Sequence, residues 1–297
     1  MKAFVVAFSL VTTCTLASAC AVDEWSMLRR EVIIRNLLRD WPGGVEAAER
    51  LLNVTDSRFA DDREKMLDSL TLLSNGYRTQ QAYGKETFVR HRELRLWFSL
   101  RAPVPAVDRS TAAEADQEIE QVRSHYAGLP VTDPTAMARL SNKADELSIN
   151  GRYKSAESLM LKILALRAER PSFDAAVASE SHRLGELYLF LGRPLEAEPR
   201  FRHAVELSRK VYGTDNFLVA PSLLGLADAM IATRRATPAV GLLQEAQNIV
   251  QATYGAEHPQ TAYYLDRFAL ALDAAGRASD ADVNRANATA IRKRFRG

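Results

Sequence analysis

Five histidines are the residues of this 297-residue chain best suited to acid–base catalysis or metal binding, and none stands at a metal-site spacing from another. The chain also lacks the G-x-S-x-G, G-x4-G-K-[ST], G-x-G-x-x-G and H-E-x-x-H motifs. His91-Arg92-Glu93 comes nearest to a site, yet the arginines around it indicate a solvated helix face. We predict no enzyme, no catalytic residue, no metal and no cofactor. An enzyme with an unrecognised site in the N-terminal half is the less favoured alternative.

The two cysteines, Cys14 and Cys20, belong to an N-terminal segment typical of export. Lys2 precedes an apolar run over 3–16, and small residues at 17–19 follow it. This order predicts a secretory signal peptide over 1–19, with cleavage after Ala21 as another option and a buried N-terminal helix as the structural alternative. Ala17-Ser18-Ala19-Cys20 also resembles the lipobox of bacterial lipoproteins, so Cys20 is a candidate lipidation site. We predict an exported chain, either periplasmic or lipid-anchored in the bacterial envelope.

The composition of the rest of the chain is typical of soluble proteins that do not bind nucleic acid. Lys and Arg number 39 against 37 Asp and Glu, a formal net charge of +2. A nucleic-acid-binding surface usually carries a larger basic excess. Beyond residue 20 the chain has no cysteine, so a folded body there contains neither a disulfide nor a cysteine-based zinc site.

A repeat of about 42 residues organises the second half of the chain. Four segments align without gaps, and their shared alanines are Ala156, Ala197, Ala239 and Ala281. Tyr212-Gly213 recurs as Tyr254-Gly255 at the same spacing. Apolar residues at helical spacing precede a glycine in three copies, which suits a helix end, and a second helix follows. The pattern predicts an all-α chain of helix–turn–helix repeats, with copies over 138–178, 179–220, 221–262 and 263–297.

These residues resemble the tetratricopeptide repeat (TPR). Its pattern L-G-x2-Y…A-x3-F is matched by Leu184-Gly185-x2-Tyr188 and Ala197-x3-Phe201. The longer period and the Tyr-Gly and His-Pro loop resemble the repeats of kinesin light chains. HEAT and armadillo repeats share the period, but the Gly-x4-Ala step favours TPR. The resemblance implies a right-handed superhelix, an α-solenoid, whose first helices line a groove that binds a protein segment.

The resemblance also places candidate partner-binding residues in that groove. By register they are Asn142, Asp145, His182, Arg183, Glu186, Asp228, Asp266 and Arg267, with Ser141 and Leu224 beside them. Asp145, Glu186 and Asp228, spaced by 41 and 42 residues, put a carboxylate on one face of three repeats. Such a row attracts a basic, extended partner segment; alternatively, these are ordinary solvent-facing helix residues. The paired asparagines common in kinesin-light-chain repeats are reduced here to Asn142.

The first half of the chain is also predicted to be helical. Over 22–101 an amphipathic stripe ends at Trp41-Pro42-Gly43-Gly44, and helical spacing restarts over 45–52. This region is either a pair of degenerate TPR-like hairpins or an unrelated helical cap. Prolines at 103 and 105 begin a linker over 102–137 that contains a charged helix at 112–126.

These observations together predict a non-catalytic interaction module of the bacterial envelope. It would bind a protein segment during envelope assembly, secretion or surface-structure biogenesis. A self-associating structural scaffold is the alternative. We predict protein partners, no nucleic acid, and membrane contact only through an N-terminal lipid. The basic residues at 292–296 form either a polar cap on the last helix or a contact to lipid head groups.

Overall fold

The computed structural model describes residues 24–59, 62–80, 111–125, 133–168 and 174–296, with single positions at 82, 85, 89, 92, 93 and 96. The predicted signal peptide, Cys14, Cys20 and His91 lie outside the described residues. Within the described residues there are twelve α-helices, one 3-10 helix and no strand. None of these helices is both long and apolar enough to cross a membrane.

Three helices come from the N-terminal region and one from the predicted linker. They are α1 (Glu24–Leu37), α2 (Trp41–Arg58), α3 (Arg63–Thr79) and α4 (Ala113–His125). Eight helices follow: α5 (Pro134–Ile149), α6 (Tyr153–Ala168), α7 (Asp174–Phe190), α8 (Pro194–Tyr212), α9 (Ala220–Ala232), α10 (Ala236–Tyr254), α11 (Pro259–Ala274) and α12 (Ala278–Arg296). A 3-10 helix, Phe217–Val219, precedes α9.

The last eight helices form four consecutive hairpins, and each hairpin packs on the next. The prediction of an all-α chain of sequential helical repeats is therefore confirmed. The hairpins begin at residues 134, 174, 220 and 259, each before the boundary expected from the sequence. The boundaries differ because the apolar pattern marks the buried part of each first helix, whereas Pro134, Asp174 and Pro259 start the helix on its more polar first turn.

The turn inside each repeat has left-handed backbone geometry. Gly151, Gly192 and Gly276 have φ values of 76°, 70° and 76°, and Arg234 occupies the same place in the third repeat at 60°. The second repeat shows the hydrogen bonds that close such a turn, from Gly192 N to Leu189 O and from Arg193 N to Tyr188 O. Glycine is favoured here because it adopts this conformation without strain.

Small residues let the helices of neighbouring repeats approach closely. The four repeated alanines, Ala156, Ala197, Ala239 and Ala281, have no exposed surface. The ring of Phe201 on α8 lies between Gly185 of α7 and Gly225 of α9. A Cβ built on either glycine would come within 2.8 Å and 2.3 Å of that ring, respectively. The small residues of the repeat thus leave the space that the aromatic ring of Phe201 fills.

The N-terminal helices pack in chain order, α1 on α2 and α2 on α3. The predicted restart near Val45 is wrong, because α2 already begins at Trp41. Asp40 caps this helix, its Oδ1 accepting a hydrogen bond from Gly43 N at 3.2 Å. A capped first turn tolerates Pro42 and the glycines after it, so the Pro-Gly-Gly sequence starts a helix instead of extending a loop.

Helix α4 packs against α5 and α6 of the first repeat. Ser155 Oγ donates to Thr111 O at 2.8 Å, and Arg152 forms an ion pair with Glu114 at 2.6 Å. The charged helix of the predicted linker therefore lies against the first repeat.

The N-terminal helices also contact the last repeat. Helix α2 packs against α12, and buried side chains of α1 to α3 share one continuous hydrophobic core with those of the repeats. This long-range contact places α2 and α3 opposite the first helices of the repeats.

Candidate functional site

A cavity of about 670 Å³ lies between the N-terminal helices and the first helices of three repeats. We call it the groove cavity. One wall comes from α7, α9 and α11, and the opposite wall comes from α2, α3 and the positions 92 and 96. Its lining residues are Asp56, Met66, Leu70, Arg92, Leu96, Glu186, Leu189, Phe190, Asp228, Ile231, Ala232, Pro259, Tyr263, Arg267 and Arg292. The size and the mixture of apolar and charged groups suit a ligand-binding site.

The charged groups of the groove cavity are arranged as ion pairs. Arg92 donates to the carboxylate of Asp56 through Nη2 at 2.6 Å and through Nη1 at 3.0 Å. The two side chains are only 11% and 7% exposed. Burial opposes the charged form of Arg92, yet the carboxylate of Asp56 holds its pKa above the ordinary value. Arg267 of α11 pairs with Asp228 of α9 at 2.7 Å. The second pair therefore joins neighbouring repeats across the cavity wall.

The pair of Asp56 and Arg92 also connects the N-terminal helices to the last repeat, and we call it the latch. The guanidinium carbon of Arg92 lies 5.2 Å from the ring centre of Tyr263, a cation–π contact. Gln260 Nε2 donates to Asp56 Oδ2 at 3.5 Å. Both contacts reach α11, so the latch holds α2 over the first helix of the fourth repeat.

A smaller cavity of about 380 Å³ lies close to the latch. Tyr77 Oη donates to Glu49 Oε1 at 2.5 Å. The ring of Tyr254 meets Phe217 edge-on at 5.6 Å and stacks on His258 at 4.9 Å. Burial, with the nearby charge of Glu49, raises the pKa of Tyr254 to about 12. Burial also lowers the pKa of His258, which is therefore neutral at pH 7.

Residues 174–246 match the family model described as "Tetratricopeptide repeat". Over 128 residues, 43% of this chain and 20% of the relative, the sequence is 28% identical to "Protein KINESIN LIGHT CHAIN-RELATED 3" of Arabidopsis thaliana. The chain is therefore similar to tetratricopeptide-repeat proteins of the kinesin-light-chain kind. It spans about a fifth of the length of this curated relative.

Solved structures with the same fold cover most of the chain. BtubC (BKLC) from P. vanneervenii aligns with a TM-score of 0.52 and 16% identity, over 91% of this chain and 92% of that one. A putative kinesin light chain from Podosopora anserina with nearly identical TPR-like repeats aligns with a TM-score of 0.52 and 21% identity, over 77% and 95%. A single-residue variant of that protein gives a TM-score of 0.53 with 20% identity, over 81% and 97%. At these identities the likeness shows the fold alone.

Three of the predicted groove residues, Glu186, Asp228 and Arg267, line the groove cavity. Helices α7, α9 and α11 supply one residue each, as the repeat spacing implies. Asp266 is beside them in sequence but pairs with Arg292 of α12, which also lines the cavity. Asn142 is exposed on α5 and is not among the lining residues.

Asp145 and Arg183 belong to a buried ion cluster between the first two helical repeats. Arg183 is 2% exposed, and its Nε donates to Asp145 Oδ1 at 3.1 Å. Its Nη1 donates to Glu180 Oε2 at 2.8 Å, and its Nη2 donates to Ser141 O at 2.7 Å. Arg167 lies 3.8 Å from the same Glu180 carboxylate. These groups join α5, α6 and α7 and leave little surface for a partner to contact.

His182 is fully buried beside this cluster. Its Nδ1 lies 3.3 Å from Ser222 Oγ, and its ring meets Phe201 edge-on at 5.3 Å. Its Nε2 is 3.8 Å from Glu186 Oε1. The side chain therefore packs between repeats.

The predicted row of accessible carboxylates needs a correction. Asp145 and Glu186 are 5% and 2% exposed, and Asp145 and Asp228 are each paired with an arginine of the next repeat. The solvent-facing alternative is wrong for Asp145 and Glu186 for the same reason. Repeat spacing predicts that equivalent residues share a face, but it does not show whether other helices cover that face.

Sequence reasoning missed the residues of the opposite wall. Arg92 was expected on a solvated helix face, whereas its side chain is buried against Asp56 and Tyr263. Glu93 beside it is 4% exposed and accepts a hydrogen bond from Thr71 Oγ1 at 3.0 Å. Closely spaced arginines, as at positions 90, 92 and 95, are typical of a solvated helix face, and no local pattern marks the one that is buried. Within the described residues, no group of histidine and acidic side chains is placed to hold a metal ion.

Proposed function

We propose that this chain is a non-catalytic TPR interaction module of the bacterial cell envelope, which takes a segment of a partner protein into the groove cavity. TPR domains bind protein partners in general, and such proteins are typically non-catalytic. The observation that carries the proposal is the cavity itself, because three successive repeats contribute to one wall. The pathway we propose is envelope assembly, secretion or surface-structure biogenesis.

The lining of the groove cavity indicates what kind of segment fits. Leu189, Phe190 and Ile231 give it an apolar wall, and Glu186 and Asp228 place carboxylates beside that wall. Arginines neutralise much of the acidic charge, so long-range attraction contributes less than the sequence alone suggested. The partner we propose is an extended segment whose apolar side chain packs on this wall.

A bulky residue at the end of α9 tests this function. Ala232 is exposed and lines the groove cavity, so Ala232→Trp should fill it without disturbing the core. Ala274 is also exposed and ends α11 at the equivalent place one repeat later, but it does not line the cavity. Partners are first identified by crosslinking and mass spectrometry in the native host. We expect Ala232→Trp to reduce their capture at least tenfold and Ala274→Trp to leave it unchanged; equal capture by both variants would refute the groove cavity as the binding site.

The envelope location is a separate part of the proposal. Its support is the signal-like sequence of 1–19 and the lipobox-like Ala17-Ser18-Ala19-Cys20. A clickable fatty acid fed to the host should label the wild-type chain, and Cys20→Ser should abolish the label. If the signal peptide is cleaved and the chain carries no label, export is supported and lipidation of Cys20 is refuted.

A further inference from the structure

Exposed apolar side chains are concentrated at one corner of the molecule. Of the eleven large apolar side chains that are exposed within the described residues, five lie between positions 27 and 41. They are Met27, Ile34, Leu37, Leu38 and Trp41, with 55%, 52%, 77%, 73% and 39% of their surface exposed. We call this set the apolar strip. The other six are spread over five different helices, which is normal for a protein surface.

Helical spacing aligns the apolar strip on the outer face of α1 and the following turn. Met27 and Ile34 are two turns apart, and Leu37 and Leu38 follow Ile34 by one turn. Arg30 is exposed between Met27 and Ile34 on the same face, and Arg39 is exposed beside Leu38. The result is an outer surface that carries both apolar and basic groups.

The opposite face of α1 is bound to the rest of the molecule, so the helix cannot rotate to bury the strip. Leu28 and Val32 lie in the core. Trp25 Nε1 donates to Thr55 Oγ1 at 2.9 Å and lies 3.1 Å from Ser69 Oγ. Because these apolar side chains cannot be buried within the protein, only a partner molecule or a membrane can remove them from water.

We propose that the apolar strip docks on a bilayer surface that contains anionic phospholipids. The inference rests on the lipidation of Cys20 proposed above. Helix α1 begins four residues after Cys20, and four extended residues span at most about 14 Å. A lipid on Cys20 would therefore hold α1 next to the head groups.

The chemistry of the strip also matches a membrane interface. Leucine, isoleucine and methionine side chains enter the boundary between head groups and acyl chains, and tryptophan is enriched at that depth. Arg30 and Arg39 are placed to contact lipid phosphates, whose attraction for basic side chains is a surface effect. Two nearby acidic groups are already in ion pairs, Asp40 with Arg35 at 2.8 Å and Glu31 with Arg50 at 2.8 Å. Local repulsion from the anionic surface is thereby reduced.

Such docking would give the molecule a fixed orientation on the membrane. The acyl chains of a lipidated cysteine hold a protein at the membrane, but they do not fix how it is oriented there. The apolar strip would supply a second contact, and it begins seven residues after Cys20 in the sequence.

Vesicle flotation tests the proposal on the processed chain, residues 20–297 with Cys20→Ser, so that no acyl chain contributes. We expect it to float with vesicles of phosphatidylglycerol and phosphatidylethanolamine and to bind phosphatidylcholine vesicles more weakly. Leu37→Glu combined with Leu38→Glu should weaken flotation at least tenfold, because two exposed apolar side chains are lost. The matched control is Leu195→Glu with Val283→Glu, which changes exposed side chains on α8 and α12 (73% and 60% exposed) and should float like the parent.

Three outcomes would overturn the inference. They are no flotation of the parent chain, equal flotation of both double variants, and a parent dimer in sedimentation that Leu37→Glu with Leu38→Glu converts to monomer. The last result would assign the strip to contact with a second copy. Circular dichroism of each variant excludes unfolding as the cause. Because the fatty-acid label reports on Cys20 alone and flotation reports on the strip alone, failure of one proposal is distinguishable from failure of the other.

Discussion

At the scale of single residues, Phe201 explains why the repeat requires small side chains. Its ring is fully buried between Gly185 and Gly225, and it also contacts the ring of His182. The sequence pattern L-G-x2-Y…A-x3-F predicts which residues are small and which is aromatic. The structure adds that the aromatic ring lies against glycines of two different repeats.

Gly225→Ala should therefore destabilise the protein. The new Cβ would lie 2.3 Å from the Phe201 ring, which is enclosed on both sides and has little room to shift. We expect the free energy of unfolding, measured by urea titration, to fall by about 1–3 kcal/mol. Gly241→Ala is the control, because a Cβ on this exposed helical glycine meets nothing within 4 Å. That change should raise the free energy by about 0.5–1 kcal/mol; equal effects of the two substitutions would contradict the packing argument.

At the scale of elements, the starts of equivalent helical segments are capped in the same way by different residues. Asn216 Oδ1 accepts from Leu218 N at 3.0 Å, and 42 residues later His258 Nδ1 accepts from Gln260 N at 3.1 Å. The recurring loop was visible in the sequence, but the capping role of the histidine was not. A histidine caps a helix in this way only while Nδ1 is unprotonated.

Acid should weaken the start of α11 through His258. Burial lowers its pKa in the folded protein, Arg92 lowers it further, and Asp56 opposes them. The unfolded chain therefore binds the proton more readily, so this group's contribution to stability is present above the unfolded pKa of about 6.5 and is lost as pH falls below it. We expect the free energy of unfolding to decrease from pH 7.5 to pH 5, and to decrease less in His258→Asn, whose amide still accepts the hydrogen bond. Identical pH profiles for the two proteins would show that His258 does not titrate in this way.

At the scale of the whole molecule, the repeats were predictable and the position of the N-terminal helices was not. The glycine, alanine and tyrosine positions recur at a fixed spacing, because each repeat makes the same contacts with the next. Asp56 and Gln260 are 204 residues apart, and their contact occurs only once. A contact without a second copy leaves no periodic signal, so the sequence predicts the repeat side of the groove cavity but neither the latch nor the opposite wall.

The latch should control whether the N-terminal helices stay closed over the repeats. Arg92→Gln would leave Asp56 buried without its charged partner, a change that costs about 3–5 kcal/mol for ion pairs this deeply buried. We expect faster amide hydrogen exchange in α2, α3 and α11, and unchanged exchange in α8, which has no part in the latch. The control is Arg58→Gln on α2, because the pair of Arg58 and Glu24 is largely exposed and contributes at most about 1 kcal/mol. If Arg92→Gln exchanges like the control, the N-terminal helices are held by apolar packing alone and the groove cavity does not depend on the latch.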